Sequence, residues 1–566
     1  MKTLRPALTP ALTLVLVLAA AGPVPAGSVP TRTRLAMVVS QNGIASQVGV
    51  EVMMAGGNAV DAAVAAAFAL AVVHPAAGNI GGGGFLLLRP AAGKAAVYDF
   101  REMATAAATP SMFFVNGAYD PGRHHDSHVA VGVPGTVAGL QMAWMDNGRR
   151  PWKELLQPAI GLARDGFMVS DGLARSLREV LPQMKPYPAS LAQFSRGGTP
   201  YEMGDVLRQP DLARTLERIA ENGSKGFYGG ETAELIVKEM HSGGGLITLD
   251  DLRNYQIYRR PPLRGTYRGH EVLTVPLPSG GGITLLECLN VLEDLDVPGM
   301  GVGSSRYVHH VSEALRRAFA DRARYLGDPE QVAGMPVQRL LSKEYAAQLR
   351  RTIRADHASL SSPERFEWPA ESDETTHLSV VDAERNAVSL TYTLEDSYGA
   401  KIVVPGAGFL LNDEMGDFNA GPGLTDETGL VGTPPNLAAP GKRMLSSMTP
   451  TILTKDGQLE LVVGSPGGRT IPSTLLLAVL NVVDFGMNAQ EAIDQPRFFH
   501  QWLPDFIHVE KHGFSADTIQ ALVARGHHVV EIEKQGVAEA ILVNRRDGTL
   551  EGGCDRRAPD GAAIGR

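Results

Sequence analysis

The sequence predicts a mixed α/β protein, and three observations carry that prediction. Up to about residue 370 amphipathic helical runs alternate with short apolar strands. From His377 onward the texture changes to strands in pairs joined by tight polar turns. Across all 566 residues, 44% are hydrophobic and 20% charged, which is enough apolar side chain for a large buried core and excludes disorder as the main state. The 63 Gly and 37 Pro stay below the share typical of low-complexity chains and point to a loop-rich globular protein. Length alone fits either three or four domains or one large sandwich.

The elements follow in order. Lys2 and Arg5 precede an apolar run from Ala11 to Ala21, and Val24-Pro25-Ala26 ends it with small residues. This three-part pattern predicts a secretory signal over residues 1–26, a mature chain from Gly27, and a periplasmic or secreted location. The run is too short to span a bilayer core, which takes about 20 apolar residues. Ala62 to Val73 is similarly short and reads as a buried helix after the turn Gly56-Gly57-Asn58, so no membrane span is expected in the mature protein. Helices are predicted over Gly135 to Asn147, Lys153 to Arg164, Tyr307 to Leu326 and Lys343 to Ile353, with strands at Phe85 to Leu88 and Ala95 to Phe100. His357 to Asp373 is polar, contains Pro and lacks apolar periodicity, so it reads as an exposed flexible connection. Beyond it come His377 to Asp382 paired with Ala387 to Thr393, and Pro450 to Thr454 paired with Leu459 to Val463.

Charge and cysteine content remove several classes of function. Lys plus Arg number 52 against 61 Asp plus Glu, a net charge of −9, so counterion release gives no drive toward nucleic acid. Cys288 and Cys554 are the only cysteines; at most one disulfide can form, no CxxC pair holds zinc, and Cys288 reads as a buried inert thiol. Gly81 to Gly84 lacks the Lys-Ser/Thr of a phosphate loop and reads as close backbone packing. His124, His125, Asp126 and His128 are the densest potential metal ligands, but their Pro-Gly-flanked setting reads as a solvated loop. Ser465 in Gly464-Ser465-Pro466-Gly467 lacks the residue that separates Gly from Ser in a nucleophile elbow.

More informative is Glu374-Thr375-Thr376-His377, where the polar connection ends and a strand begins with a hydroxyl residue. Cleavage before Thr375 would place a nucleophilic hydroxyl and an α-amine on one residue. With an ordinary pKa of about 7.7 to 8.0, that amine can act as the local base. Taken alone, the tripeptide means little and reads better as an ordinary strand start.

Further motifs appear in a consistent order: Gly56 to Ala63, Gly81 to Phe85, Asp99 to Glu102, Gly132 to Thr136, Pro278 to Gly281, Thr375 to Asp382, Leu410 to Phe418, Leu445 to Thr451, Gly464 to Gly468 and Pro496 to Asp505. Together they resemble the γ-glutamyltranspeptidase (γ-glutamyltransferase, glutathione hydrolase) family of N-terminal nucleophile hydrolases over nearly the whole mature chain. The resemblance implies a four-layer αββα sandwich built by two chains from one precursor. Self-cleavage at Glu374/Thr375 would give a large subunit, 27–374, and a small subunit, 375–566, that remain associated as a heterodimer.

Carried over by position, the resemblance implies that Thr375 is the nucleophile and Thr393 the hydroxyl beside it, with Gly467 and Gly468 supplying oxyanion amides. Arg101, Ser446 and Ser447 would hold the substrate α-carboxylate, while Glu395, Glu414 and Asp417 would hold its α-ammonium. The chemistry asks for such a set independently. A γ-glutamyl group carries a carboxylate and an ammonium on one carbon, so its pocket needs a cation and hydroxyl donors on one side and carboxylates on the other. The implied substrates are glutathione and related γ-glutamyl compounds, with amino acids, dipeptides or water as acceptors and no metal or organic cofactor. Family members differ at Glu395 and Glu414, where Asn and Gln also occur, which bears on acceptor preference. The stretch from Gly421 to Asn436 resembles the family's lid, but Thr428 stands where Tyr is often found, implying a leakier lid and more hydrolysis relative to transfer. The alternatives are a glutaryl or cephalosporin-type acylase with the same nucleophile, and an inactive binding homologue.

Overall fold

The computed structural model describes residues 27–362, 375–424 and 432–566. Its centre is a pair of seven-stranded antiparallel sheets. In chain order the strands are β1 (Thr31–Thr33), β2 (Met37–Ser40), β3 (Gly83–Arg89), β4 (Ala96–Phe100), β5 (Tyr258–Arg260), β6 (Leu263–Tyr267), β7 (His270–Thr274), β8 (Thr376–Val381), β9 (Ala387–Thr393), β10 (Thr451–Lys455), β11 (Gln458–Gly464), β12 (Glu539–Val543), β13 (Leu550–Cys554) and β14 (Ala562–Gly565). The first sheet runs β5-β4-β3-β9-β8-β2-β14 and the second β1-β13-β12-β11-β10-β7-β6.

Helices cover the outer faces. Against the first sheet lie α1 (Gly43–Met54), α2 (Ala59–Val73) and α3 (Thr136–Asn147), with α4 (Trp152–Asp165) packed on α2 and α5 (Pro210–Asn222) on α4. Against the second lie α6 (Gly281–Leu292) and α9 (Thr470–Val483), with α7 (Ser305–Tyr325) and α8 (Lys343–Arg351) packed on α6. This is the αββα arrangement that the resemblance implied. Strand alternation produces the layering: Leu378, Val380, Leu390 and Tyr392 point into the core beneath α2, while Val381 joins the core between the sheets. Two serines stitch the layers together, Ser379 Oγ donating to the Glu539 carbonyl at 3.1 Å and Ser389 Oγ to the Val463 carbonyl at 3.1 Å.

The centre of the first sheet is built around backbone contact. Asn58 caps α2 by accepting from the Val60 and Asp61 amides, and the Asp61 carboxylate returns a bond to the Asn58 amide. All of α2 is buried, and its many alanines let it lie flat on the sheet. Past it, a Cβ at Gly82 would collide with the Thr393 carbonyl oxygen and one at Gly84 with that of Thr391. The tetraglycine run is therefore close strand packing, as its sequence context suggests.

Residues on either side of position 374 interleave in both sheets. In the first, β8 and β9 are inserted between β3 and β2, with β8 bonded to β2 from Leu378–Ser40 to Val381–Met37 and β9 bonded to β3 from Ala387–Arg89 to Thr393–Gly83. Neither half could retain this sheet alone, because its central strands would lose their neighbours and expose unpaired backbone groups. Both cysteines are free thiols, Cys288 fully buried in α6 and Cys554 partly buried in β13. No helix among the described residues is long and apolar enough to cross a membrane. The signal over residues 1–26 lies outside the described residues.

Candidate active site

Thr375 immediately precedes β8, and Thr393 ends β9 directly opposite. Since Thr376 pairs with Tyr392, the next step of the register sets the two threonines side by side. Thr375 Oγ1 donates to Thr393 Oγ1 at 3.3 Å, and Thr393 Oγ1 also accepts from the Glu395 amide at 2.9 Å. Behind them, Asn79 Nδ2 donates to the Thr393 carbonyl at 2.9 Å while its Oδ1 accepts from the Gly82 amide and from Thr136 Oγ1. Asn79 thus fixes the end of β9 relative to β3, a role its position before the tetraglycine run leaves invisible in sequence.

Both threonines face a small cavity whose lining also includes Arg101, Glu395, Glu414, Asp417, Ser446, Ser447 and Gly468, together with Met448 and Ile471. The residues named from the sequence therefore converge from distant points of the chain. Glu414 and Asp417 lie on one 3₁₀ turn, Glu414–Asp417, so both carboxylates reach the same space. Arg101 follows β4 and is fully buried. Its guanidinium joins Glu414 through Nη1 and Asp417 through Nη2, with Glu102 3.4 Å from Nη1. Burial pushes the Glu102 and Glu414 carboxyls up from their ordinary range, and Arg101 opposes that push.

Electrostatically the cavity has two ends. Glu102, Glu414 and Asp417 flank the one guanidinium of Arg101, and Glu395 adds a further carboxyl beside Asp417 and Glu414, so a cationic ligand group is favoured there. Both carboxylate oxygens of Glu395 and the Oε2 of Glu414 are buried and accept no hydrogen bond from the described residues. Burial and the neighbouring carboxylates of Asp413 and Asp417 hold Glu395 well above the usual carboxylate range, a cost that a bound ammonium would relieve. At the other end stand Ser446 and Ser447. Ser446 Oγ accepts from the Met448 amide at 3.1 Å, and Ser447 Oγ accepts from Arg322 Nη2 at 2.8 Å. Arg322, buried on α7, adds positive charge behind the serines. Sequence reading did not single it out, because an Arg in a helical run carries no mark of which way it folds.

Of the glycine pair, Gly468 lines the cavity and Gly467 does not. Gly467 (φ +123°) and Gly468 (φ +49°) turn the chain from β11 into α9, conformations that a side chain resists. A Cβ on Gly467 would also press on Thr470 and on Gly536. The turn leaves the amide-rich N-terminus of α9 at the cavity, where Ile471 and Gly468 line it, a favourable place for developing negative charge.

Other candidates resolve differently. His124 is fully buried, bonded to the Tyr119 hydroxyl at 2.9 Å and stacked 3.8 Å from the Phe113 ring centroid. His128 is also buried and lies 3.0 Å from Glu239. The expected solvated loop is instead a short helix, Pro121–His125, folded against the 3₁₀ turn that carries Glu414, with His125 Nδ1 3.6 Å from Glu395. Apolar partners Phe113 and Met415, distant in sequence, supply the shell that local reading missed. His377 is a structural histidine: burial lowers its pKa to about 3, and its ring sits between Thr391 and Ser379 beneath Gly464. Ser465 Oγ donates to the Pro466 carbonyl. Of the polar connection, His357 to Ser361 is partly exposed as expected, yet the amides of Ala358, Ser359 and Ser361 are hydrogen-bonded; residues 363–374, with Glu374, lie outside the described residues, as does Thr428 of the lid stretch.

A larger cavity of about 830 Å³ is lined by His74, Asp396, Lys401, Lys534 and Arg557 among others. Size does not make it the chemical centre, since it contains neither threonine nor the glycine pair.

Known proteins resemble this chain in sequence and fold. The family described as Gamma-glutamyltranspeptidase matches residues 45–565. The glutathione hydrolase proenzyme of Escherichia coli (strain K12) is 47% identical over 544 residues, covering 95% of this chain and 93% of that one. Among solved structures, cephalosporin acylase from Bacillus halodurans superposes with a TM-score of 0.83 at 28% identity, covering 97% of this chain and 99% of its own. The γ-glutamyltranspeptidase of Helicobacter pylori gives a TM-score of 0.57 at 42% identity, covering 58% of this chain and 95% of its own.

Proposed function

The chain belongs to the γ-glutamyltranspeptidase family, and from that premise we propose that it is a self-processing γ-glutamyl hydrolase and transferase acting on glutathione and related γ-glutamyl compounds. The observation that carries this reading is the single cavity in which Thr375 and Thr393 share the lining with Ser446 and Ser447, with Glu395, and with Arg101 paired to Glu414 and Asp417. Maturation is an acyl shift: Thr375 Oγ1 attacks the Glu374 carbonyl, the peptide C–N bond breaks and frees the Thr375 amine, and water hydrolyses the resulting ester to give the Glu374 carboxylate and the free Thr375 hydroxyl. Two chains, 27–374 and 375–566, then share one sandwich.

In turnover the freed amine accepts the Thr375 hydroxyl proton as Oγ1 attacks the γ-carbonyl. Amides of Gly467 and Gly468 receive the oxyanion, where one donor is worth about 2.7 to 4 kcal/mol in a well-studied protease. Collapse expels the amine leaving group, which takes up the proton, and leaves a γ-glutamyl ester on Thr375. Water completes hydrolysis; an amino acid or dipeptide amine completes transfer. Residues 1–26 fit an export signal, which would place the enzyme in the periplasm or outside the cell. The test is mass spectrometry of purified protein with N-terminal sequencing of the smaller fragment and a γ-glutamyl anilide assay. A second chain starting at Thr375 and release of the anilide are expected; one intact chain without activity would overturn the reading.

The similarity to cephalosporin acylase favours a second reading, an acylase with the same nucleophile. Its higher TM-score reflects a solved chain of nearly full length, whereas the Helicobacter pylori chain covers little more than half of this one. The unmet acceptors on Glu395 and Glu414 favour a substrate that brings an ammonium, which a glutaryl group lacks.

Arg101 gives an expected result of its own. Arg101→Lys keeps the charge but replaces a planar fork by a point donor that cannot reach Glu414, Asp417 and a ligand carboxylate together. KM for the anilide should rise at least tenfold with processing intact. Because Arg101 also neutralises buried carboxylates, the melting temperature should fall as well; unchanged KM would remove it from substrate binding.

A further inference from the structure

The Pro496–Asp505 run contributes nothing to the active-site cavity, yet it ends in a carboxylate bound to both halves of the chain. Asp505 Oδ1 accepts from Arg316 Nη1 of α7 and from His500 Nε2 at 3.0 Å, and its Oδ2 accepts from the Ser361 amide at 2.8 Å. The His500 ring is oriented for this, since its Nδ1 accepts from the Trp502 amide at 3.0 Å and so leaves the proton on Nε2. One turn earlier on α7, Glu313 receives the Ser359 amide at 3.1 Å and the Ser359 hydroxyl, and it is also paired with Arg316 and Arg317. Burial pushes Glu313 up, but Arg316, Ser359 and Arg317 outweigh it and hold the carboxyl at about 2. Arg316 also bonds Ser361 Oγ, the Arg525 carbonyl accepts from the Ala358 amide at 2.7 Å, and His309 Nε2 lies 2.7 Å from the Arg354 carbonyl.

His309, Glu313 and His527 could suggest a metal site. The two rings instead share a hydrogen bond, with His309 Nδ1 2.7 Å from His527 Nε2, and the Glu313 oxygens are taken by Ser359, Arg316 and Arg317. What the cluster holds is the stretch 354–361, which leads into and begins the polar connection toward Thr375.

We propose that Glu313, Arg316 and Asp505 form a clamp that fixes residues 354–361 on both halves of the fold, and that this clamp positions the connection for self-cleavage at Thr375. The proposal rests on the self-processing reading. A nucleophile gains from reach and alignment only when the bond it attacks is held, and a displacement of about 1 Å can cost about 10²-fold. Polar groups that are merely glue between subunits would need no anchor on the amides of this one stretch. Here the amides of Ala358, Ser359 and Ser361 are all bound, to Arg525, Glu313 and Asp505 respectively. After cleavage the same bonds would keep residues 354–361 of the large subunit seated on the small one.

The test compares the full-length wild type with Ser361→Pro, which deletes the amide given to Asp505 at the edge of the fold, and with Asp505→Asn. First-order conversion to two chains is followed by gel and mass spectrometry, alongside melting temperature and the anilide kinetics of fully converted protein. Expected are conversion rates at least tenfold lower in both variants, with kcat and KM of the converted material and the melting temperature of Ser361→Pro unchanged. Wild-type conversion rates in Ser361→Pro would overturn the clamp while leaving self-processing intact. Slow conversion accompanied by a matching loss of melting temperature in both variants would overturn it too, in favour of a purely structural network. A wild type that remains one chain would instead sink the self-processing reading and the clamp with it.

Discussion

Thr375→Ala is expected to yield one full-length, folded and inactive chain. The hydroxyl is the attacking atom in both proposed reactions, so its removal stops the acyl shift and, with it, the release of the α-amine that would serve as base. Two losses from one side chain make the effect close to total, beyond the roughly 10²- to 10³-fold expected for removing a single oxyanion donor. Folding should survive: Thr375 precedes β8, and the strand's pairing with β9 and β2 begins at Thr376 and Leu378. Thr393→Ala should be milder, since Thr393 Oγ1 touches the nucleophile at 3.3 Å but forms no bond in the reaction. The discriminating measurement is intact-mass analysis of Thr375→Ala together with its melting curve. Normal cleavage in this variant would take Thr375 out of the mechanism, whereas an unfolded protein would be revealed by the curve and would call for Thr375→Ser, expected to cleave slowly.

How much of this was legible in sequence differs by element. The strand Ala387–Thr393 was bounded correctly because a polar turn and β-branched residues frame it, and α3, α4, α7 and α8 emerged within a residue or two because their apolar positions recur with helical spacing. The amphipathic helices between residues 171 and 243 were not singled out, since this region carries none of the motifs that guided the reading. Periodicity also could not show that the chain's two halves interleave in both sheets, because that is a fact of pairing rather than of local pattern. Site residues fared similarly. Motif order brought Thr375, Arg101 and Asp417 to attention, yet it gave no hint that Arg101 is shared between Glu414 and Asp417, or that Arg322 backs Ser447. His124 misled because its neighbours in sequence are polar while its neighbours in space are Phe113 and Tyr119.

Asp417→Asn should separate the two enzyme readings. In the structure Asp417 Oδ2 is joined to Arg101 Nη2, while Glu414 and Glu102 flank the same guanidinium, so losing one carboxylate still leaves Arg101 neutralised and the fold intact. A γ-glutamyl ammonium would lose one of the carboxylates that compensate its burial. Breaking a buried pair costs about 3 to 5 kcal/mol, or upward of roughly 10²-fold in kcat/KM at about 1.36 kcal/mol per decade. Glutaryl amides bring no ammonium, so for them the substitution removes only an unbalanced acid and should be neutral or favourable. Self-cleavage should proceed normally, because the precursor bond makes no use of the ammonium end. The measurement is kcat/KM for a γ-glutamyl and a glutaryl anilide on both proteins. Under the transpeptidase reading wild type prefers the first and Asp417→Asn loses that preference by about two decades. A wild type that prefers glutaryl substrates, or an Asn variant with undiminished γ-glutamyl activity, would instead establish that the carboxylates around Arg101 serve the fold and that the acylase reading describes the site.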